Sequence, residues 1–197
     1  MPDIPRLLNV LRVHGFQSAF FDSGAAAVDY LDRALDGQTI GFGGSVTLQD
    51  LELYERLSTH NRVFWHWKRQ EERRAAFSAP VFLTSANALS ENGELVNIDA
   101  GGNRVAATCF GPERLIFVIG LNKLAPNLEG AVQRARNVAA PQNCARLGRK
   151  TPCAKEQKHC FDCASRDRLC QVMSIHFGRP LNIPAAEVLL VNENLGY

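Results

Sequence analysis

Short apolar runs alternate with amphipathic segments along this chain, a pattern typical of strands separated by helices. Apolar or β-branched runs predict strands over residues 16–21, 39–42, 62–67, 81–85, 95–98, 105–110, 115–119 and 187–191. Helical spacing predicts helices over residues 6–13, 24–35, 48–57, 128–139 and 165–175. Because strands and helices alternate, the pattern predicts an α/β fold whose mainly parallel sheet has helices on both faces.

Capping residues predict where several of these helices begin and end. Ser23 is a predicted N-cap, and Thr47 with Asp50 three positions later resembles a capping box. Asn127 is expected to cap the 128–139 helix, and Pro141 is expected to end it because proline lacks the backbone N–H that a helix interior needs.

Composition narrows the class of protein. The chain has 197 residues, of which 46% are hydrophobic and 21% charged, as in ordinary globular proteins. We therefore expect one α/β domain over residues 1–197. No apolar stretch approaches the roughly 20 residues that cross a bilayer, and the start lacks a secretory signal. The sequence thus predicts a cytoplasmic protein with no membrane partner.

The segment 144–179, called the cysteine segment below, is expected to be inserted before the last strand. It carries eight basic and three acidic residues, whereas the whole chain has a formal charge of only +2. A basic segment can bind nucleic acid, but the mild overall charge and the few aromatic residues in this segment argue against it.

Five of the six cysteines lie in the cysteine segment, and a clustered set in a cytosolic protein is more often metal-binding or catalytic than disulfide-bonded. The C-x2-C pair Cys160 and Cys163, with Cys153 and Cys170, predicts four thiolate ligands for an iron–sulfur cluster or zinc. His159 is a spare ligand candidate. The alternatives are reduced structural thiols or one redox-active pair. Cys109 is expected in the core.

Two loops at predicted strand ends carry the groups expected to bind an anion. The first loop offers the backbone and hydroxyl groups of Gly43, Gly44, Ser45 and Thr47 before a helix. It lacks the dinucleotide fingerprint, and the chain has no nicotinamide or flavin signature. Asn122 and Lys123 follow the 115–119 strand, where ligands of open α/β sheets bind. Glycine geometry and a solvated lysine are the structural alternatives.

A polar series lies in and between the central strands. Asn87, Asn97, Asn103 and Arg104 are predicted ligand-binding residues, although Asn also simply closes turns. Glu91 and Asp99 are the candidate catalytic carboxylates, since a buried carboxylate can act as a base or nucleophile. His66, between two tryptophans, is attributed to strand packing.

Several motifs together resemble the LUD domain family, the lactate-utilisation proteins of the LutC/YkgG type. They are GFGGSVTL (41–48), LTSANA (83–88), GELVNID (93–99), GNRVA (102–106) and GLNK (120–123). Four further motifs resemble the cysteine-containing branch of this family: TPC (151–153), CFDC (160–163), DRLC (167–170) and LVNENLGY (190–197). The resemblance implies a fold similar to phosphosugar isomerases and CoA transferases, with a ligand cleft at the strand ends. The family's association with lactate oxidation implies iron–sulfur partner subunits.

The sequence therefore predicts a protein of lactate or organic-acid utilisation that binds a small anionic metabolite, phosphorylated or CoA-like. One alternative is a non-catalytic accessory subunit of an iron–sulfur oxidoreductase complex, docked through the basic segment. Another is a transferase or isomerase that uses Glu91 or Asp99. The sequence does not decide whether the chain is an enzyme or whether it forms a homo-oligomer.

Overall fold

The computed structural model describes residues 2–197, which form two sheets and their flanking helices. The strands are β1 (Gln17–Phe21), β2 (Thr39–Phe42), β3 (Arg62–Trp65), β4 (Val81–Thr84), β5 (Ala88–Ser90), β6 (Leu95–Asp99), β7 (Arg114–Gly120), β8 (Leu124–Ala125), β9 (Val172–His176) and β10 (Ala185–Val191).

Nine α-helical segments are present in the described chain. They are α1 (Ile4–Val13), α2 (Gly24–Ala34), α3 (Val46–Asp50), α4 (Leu53–Leu57), α5 (Arg73–Phe77), α6 (Asn103–Cys109), α7 (Leu128–Arg134), α8 (Ala140–Arg146) and α9 (Pro152–Glu156). Single 3-10 turns precede α5 and β8, and a π-helical turn joins α7 to α8.

The large sheet has six parallel strands in the order β1-β10-β7-β4-β2-β3. Alternate residues of β7 enter different cores: Ile116 and Val118 join one apolar cluster, whereas Leu115, Phe117 and Ile119 join the other. Both faces of the sheet are therefore covered, as a parallel sheet requires. This architecture confirms the predicted α/β fold with helices on both faces.

The small sheet is separate from the large one and has four strands in the order β8-β5-β6-β9. Its strands β5 and β6 form an antiparallel pair, and β9 lies antiparallel to β6 with Asn97 opposite Ser174. The cysteine segment therefore contributes β9 to this sheet before the chain enters β10. Across residues 2–197, no helix is both long and apolar enough to span a bilayer.

The predicted strand over 105–110 is wrong, because this stretch belongs to helix α6. The Asp99 carboxylate accepts hydrogen bonds from the backbone N–H groups of Arg104 (3.1 Å) and Val105 (3.2 Å), two of the donors that a helix start leaves unpaired. The apolar Val105 faces the interior of the protein. The Asp99 cap, a few residues before the helix, and the burial of Val105 thus override the β-propensity of the stretch.

Two helix predictions near the cysteine segment are also wrong. The predicted helix over 165–175 does not form: residues 165–171 are irregular, and residues 172–176 form strand β9 because β6 supplies a complete antiparallel partner. Pro141 does not stop its helix but lies in the first turn of α8, which continues directly from the preceding π-helical turn. The preceding π-helical turn, residues Ala135–Ala139, accommodates this change.

A buried ion pair joins the starts of two central strands. Arg114 Nε donates to Glu187 Oε1 at 2.5 Å, and the Tyr30 hydroxyl donates to Glu187 Oε2 at 3.1 Å. The Glu187 residue is only 2% exposed. The Arg114 guanidinium is therefore the cation that compensates this buried charge, while the neutral Tyr30 hydroxyl gives the second carboxylate oxygen a hydrogen bond.

We expect Arg114→Leu to lower the free energy of unfolding by about 3–5 kcal/mol, because it leaves the buried Glu187 carboxylate without a cation. Urea unfolding measures this change. The double variant Arg114→Leu/Glu187→Leu should recover most of the loss, and the exposed control Arg33→Leu should stay within about 0.5 kcal/mol of the unmodified protein. A double variant no more stable than Arg114→Leu would contradict the assignment.

Candidate functional site

A large cleft lies at the carboxyl ends of the parallel strands. Its volume is about 800 Å³, within the range of sites that hold whole cofactors or drug-sized ligands. Gly44 and Ser45 follow β2, Ser85 follows β4, and Lys123 follows β7, so three neighbouring strand ends form its floor. The small sheet, α8 and the segment after β3 supply the walls.

The cleft is strongly cationic. Of the described residues that line it, only Asp99 is acidic, and the basic ones are Lys68, Arg73, Arg104, Lys123, Arg146 and Arg149. Low-dielectric walls strengthen the field of such a cluster, so the cleft attracts anions and concentrates them.

Lys123 is the most unusual of these cations, because it is only 3% exposed and its hydrogen-bond partners are neutral. Its Nζ lies 2.6 Å from Thr47 Oγ1 and 2.9 Å from Ser85 Oγ. Burial, followed by the positive charges of Arg134 and Arg104, lowers its pKa to about 7, and Asp50 opposes the shift. Lys123 therefore exchanges its proton near neutral pH.

Arg104 is held by protein acceptors on every side. Its guanidinium donates to Ser85 O (3.0 Å), Asn97 Oδ1 (2.5 Å), Asn87 Oδ1 (3.0 Å) and Ile98 O (2.7 Å). Burial lowers its pKa, and Asp99 opposes this. Arg104 thus contributes its field to the cleft, while its N–H groups hold the small sheet against β4.

Asp99 and His66 lie on the same side of the cleft. Asp99 caps α6 as described above, and its side chain is 12% exposed. Burial and then the charge of Arg73 lower the pKa of His66, while Asp99 raises it. His66 therefore lines the cleft as a neutral ring near a carboxylate and an arginine. Its sequence context predicted strand packing instead of this position.

The glycine loop is only partly open to the cleft. Gly43 donates its N–H to Leu83 O at 2.9 Å, and a Cβ there would lie 2.7 Å from Thr84 Oγ1, so this glycine serves close packing. Gly44 faces Trp67, whose Nε1 would lie 3.0 Å from an added Cβ. Ser45, rather than Thr47, caps α3 by accepting from Leu48 N, which corrects the predicted capping box.

The C-terminal residues pack against the loops that form the floor of the cleft. The Asn122 Oδ1 accepts from Leu195 N at 3.1 Å, and its Nδ2 donates to Gly196 O at 3.4 Å. Gly196 N donates to Asp50 Oδ2 at 2.8 Å. Asn122 thus fixes the tail rather than facing the cleft, and Tyr197 reaches the cleft wall.

The structure separates the other predicted residues into two groups. Asn87 and Asn103 line the cleft, whereas Asn97 is fully buried behind it beneath Arg104. Glu91 is half-buried in the turn between β5 and β6 and is not among the lining residues. Of the two candidate carboxylates, the tertiary structure therefore brings only Asp99 to the cleft.

An aromatic group that the sequence analysis missed forms another wall. Trp65 and Trp67 stack with ring centroids 5.2 Å apart, and the Arg146 guanidinium lies 4.5 Å from the Trp67 ring centroid. Within residues 2–197, the buried Trp65 Nε1 has no hydrogen-bond partner. The alternating pattern Trp65-His66-Trp67 was the feature of the sequence that could have predicted this aromatic wall, but the same pattern is equally typical of a packed strand.

Two thiols of the cysteine segment lie behind one wall of the cleft. Cys144 and Cys153 are buried and pack against Leu169, which itself lines the cleft. Burial, with the neighbouring Cys153 and Cys170, raises the pKa of Cys144 to about 11, although Thr151 lowers it. Cys144 is therefore a protonated thiol at neutral pH.

The C-x2-C pair lies in a tight turn that holds one backbone N–H against a cysteine sulfur. Asp162 adopts a left-handed backbone with φ of 46°, and its N–H donates to Cys160 Sγ at 3.4 Å. Arg136 Nη2 also lies 3.7 Å from that sulfur. However, nowhere in residues 2–197 do three His, Cys, Asp or Glu side chains converge closely enough to hold one metal ion. The predicted set Cys153, Cys160, Cys163 and Cys170 is thus not gathered around one centre.

Comparison with known proteins gives a family and a fold. A sequence model of the LUD domain matches residues 4–180. A solved structure described as a DUF162 family protein from Deinococcus radiodurans has a TM-score of 0.56 with 13% sequence identity, covering 95% of each chain. At that identity the likeness concerns the fold alone. No curated protein matches the sequence.

The free energy of unfolding should depend on pH through Lys123. Between its pKa of about 7 in the folded chain and its ordinary value of 10.5, the unfolded chain holds a proton that the folded chain has released. We therefore expect Lys123→Met to stabilise the protein most below pH 7, with the gain falling by about 1.4 kcal/mol per pH unit above it.

Urea unfolding of both proteins between about pH 6 and 9 checks this, with the exposed Lys68→Met as a control that should show no such slope. A gain for Lys123→Met that does not change with pH would contradict the assigned pKa.

Proposed function

The chain belongs to the LUD domain family, and from this premise we propose that it binds an anionic metabolite, phosphorylated or CoA-linked, during the utilisation of lactate or related organic acids. The family match spans residues 4–180 and so includes the whole floor of the cleft. The proposal assigns the binding site to the strand-end cleft and gives Glu91 no part in it.

The observation that carries the proposal is the uncompensated positive charge of the cleft. Lys123 is bound by hydroxyls alone, and Arg134 behind it donates to two backbone carbonyls, Asn122 O at 2.9 Å and Asn87 O. Buried cations without carboxylates are costly, so an anionic ligand would lower the free energy of this arrangement. The volume of about 800 Å³ favours a ligand much larger than lactate itself.

The rim of the cleft supports a ligand with several negative charges. Arg73, Arg146 and Arg149 line the cleft, and none of them pairs with a carboxylate anywhere in residues 2–197. Guanidinium groups bind phosphate oxygens with two parallel hydrogen bonds. A phosphate held by rim arginines and an acyl or carboxylate group near Lys123 would fill the two ends of the cleft.

Calorimetric titration with coenzyme A, with inorganic phosphate as a second probe, tests this proposal. We expect Arg73→Gln and Arg149→Gln to weaken coenzyme A binding roughly tenfold or more each, since a charge-assisted hydrogen bond contributes about 1.5–3 kcal/mol. The control Arg33→Gln, on α2 and outside the cleft, should bind as the unmodified protein does. Equal affinity in all four proteins, or no binding of either probe, would contradict the proposal.

We propose as a second function that the cysteine segment takes up zinc or an iron–sulfur cluster. The turn at Cys160 and Cys163 supports this, because an N–H donated to a sulfur stabilises its thiolate form, and thiolates are the metal ligands. Cys153 and Cys170 are the remaining ligand candidates, and they would have to move toward this pair on metal binding, because the described residues do not gather three such ligands at one point. Bound there, the metal would crosslink the irregular stretch between α9 and β9 or, as a cluster, accept and release electrons.

Metal analysis of protein purified without oxygen, together with its visible absorbance spectrum, tests this second proposal. We expect about one zinc per chain, or iron with sulfide and a visible chromophore, and expect Cys160→Ser and Cys163→Ser to lose it. The matched control is Cys109→Ser on α6, which should retain the metal. Metal-free protein after reconstitution, or equal loss in the control, would overturn it.

A further inference from the structure

We propose that Lys123 acts as a nucleophile that forms an imine with the carbonyl carbon of a 2-oxo acid bound in the cleft. This inference rests on the proposed function, because the carboxylate end of such a ligand would use the same cationic cleft. It goes further by giving Lys123 a covalent part instead of an ionic one.

The hydrogen bonds around Lys123 leave one position on its nitrogen unused. Thr47 Oγ1 donates its single proton to Leu195 O at 3.2 Å, and Ser85 Oγ donates its proton to Ala86 O at 3.4 Å. Lys123 Nζ donates to both hydroxyls, which act as its acceptors. A neutral amine has two N–H donors and one lone pair, so two accepting hydroxyls satisfy its donors and leave the lone pair free.

The surroundings favour the neutral, nucleophilic form of this amine. The nearby charges are Arg134 and Arg104, which disfavour the ammonium, and Asp50, which favours it; burial adds to the effect of the arginines. With a pKa of about 7, roughly half of the Lys123 amines are neutral at pH 7, against on the order of one in a thousand for an ordinary lysine. Lowered pKa by burial beside other cations is how imine-forming lysines are activated.

The class of substrate follows from what surrounds the nitrogen. An imine requires an aldehyde or ketone carbon, and the cleft cations require a negative charge on the same molecule. The carboxylate-free arginines Arg73 and Arg146 line the same cleft as Lys123. A 2-oxo acid, or a larger molecule that carries this group, combines the carbonyl carbon and the carboxylate in adjacent positions.

The reaction needs no reagent beyond the amine and the ketone. The Lys123 lone pair forms a bond to the carbonyl carbon, the carbonyl π electrons move to oxygen, and one N–H proton passes to that oxygen, giving a carbinolamine. The carbon–oxygen bond then breaks, and the hydroxyl leaves as water with the second N–H proton. The nitrogen lone pair forms the C=N bond, so atoms and electrons balance.

Reductive trapping tests the proposal on the full chain. Pyruvate is supplied as the probe with sodium cyanoborohydride near pH 7, and peptide mass spectrometry locates the reduced adduct. We expect Lys123 to be modified at least about tenfold faster than the exposed Lys68 of the same molecule, because a far larger fraction of it is neutral. The variant Lys123→Arg has no amine that can form an imine, so the adduct at position 123 should vanish.

Two results would overturn the imine. One is no adduct at Lys123 in the unmodified protein, and the other is labelling of Lys123 and Lys68 at equal rates. Because the unmodified protein supplies both measurements, the test does not depend on whether a variant folds. Coenzyme A binding that persists without an adduct would remove the imine and leave the proposed function standing, whereas loss of both would remove both.

Discussion

Burial of both faces of the parallel sheet is the constraint on which the rest of this structure depends. Residues 115–120 of β7 are buried and apolar, so this part of the strand offers no polar side chain to a ligand. Polar groups can face a ligand only where the strands end, and parallel strands end at one edge. Ser45, Ser85 and Lys123 meet there although they lie far apart in the sequence.

The buried cations of the cleft are held by neutral acceptors rather than by carboxylates. Arg104 is bound by amide and backbone oxygens, with Asp99 Oδ2 3.9 Å from its Nε, and Lys123 is bound by hydroxyls. Neutral partners fix the geometry of a cation but leave its charge in place. The cost of burying these cations is therefore offset only in part within the protein, and a positive field remains in the cleft.

The cleft and the cysteine segment share a wall. Leu169 lines the cleft on one side and packs against Cys144 and Cys153 on the other. Local spacing in the sequence predicted the glycine loop and the C-x2-C pair. It did not predict that the cleft and the cysteine segment lie side by side, because this depends on the pairing of β9 with β6, whose residues are more than 70 positions apart.

The sequence by itself determined the α/β class, the strand-end loops and the clustering of cysteines, because hydrophobic periodicity and local spacing are properties of neighbouring residues. Only the tertiary structure decided that Glu91 lies away from the cleft and that His66 lies within it. It also decided that Lys123 is buried between two hydroxyls. Burial and long-range hydrogen bonds set the chemistry of a polar side chain, and no window of local sequence contains them.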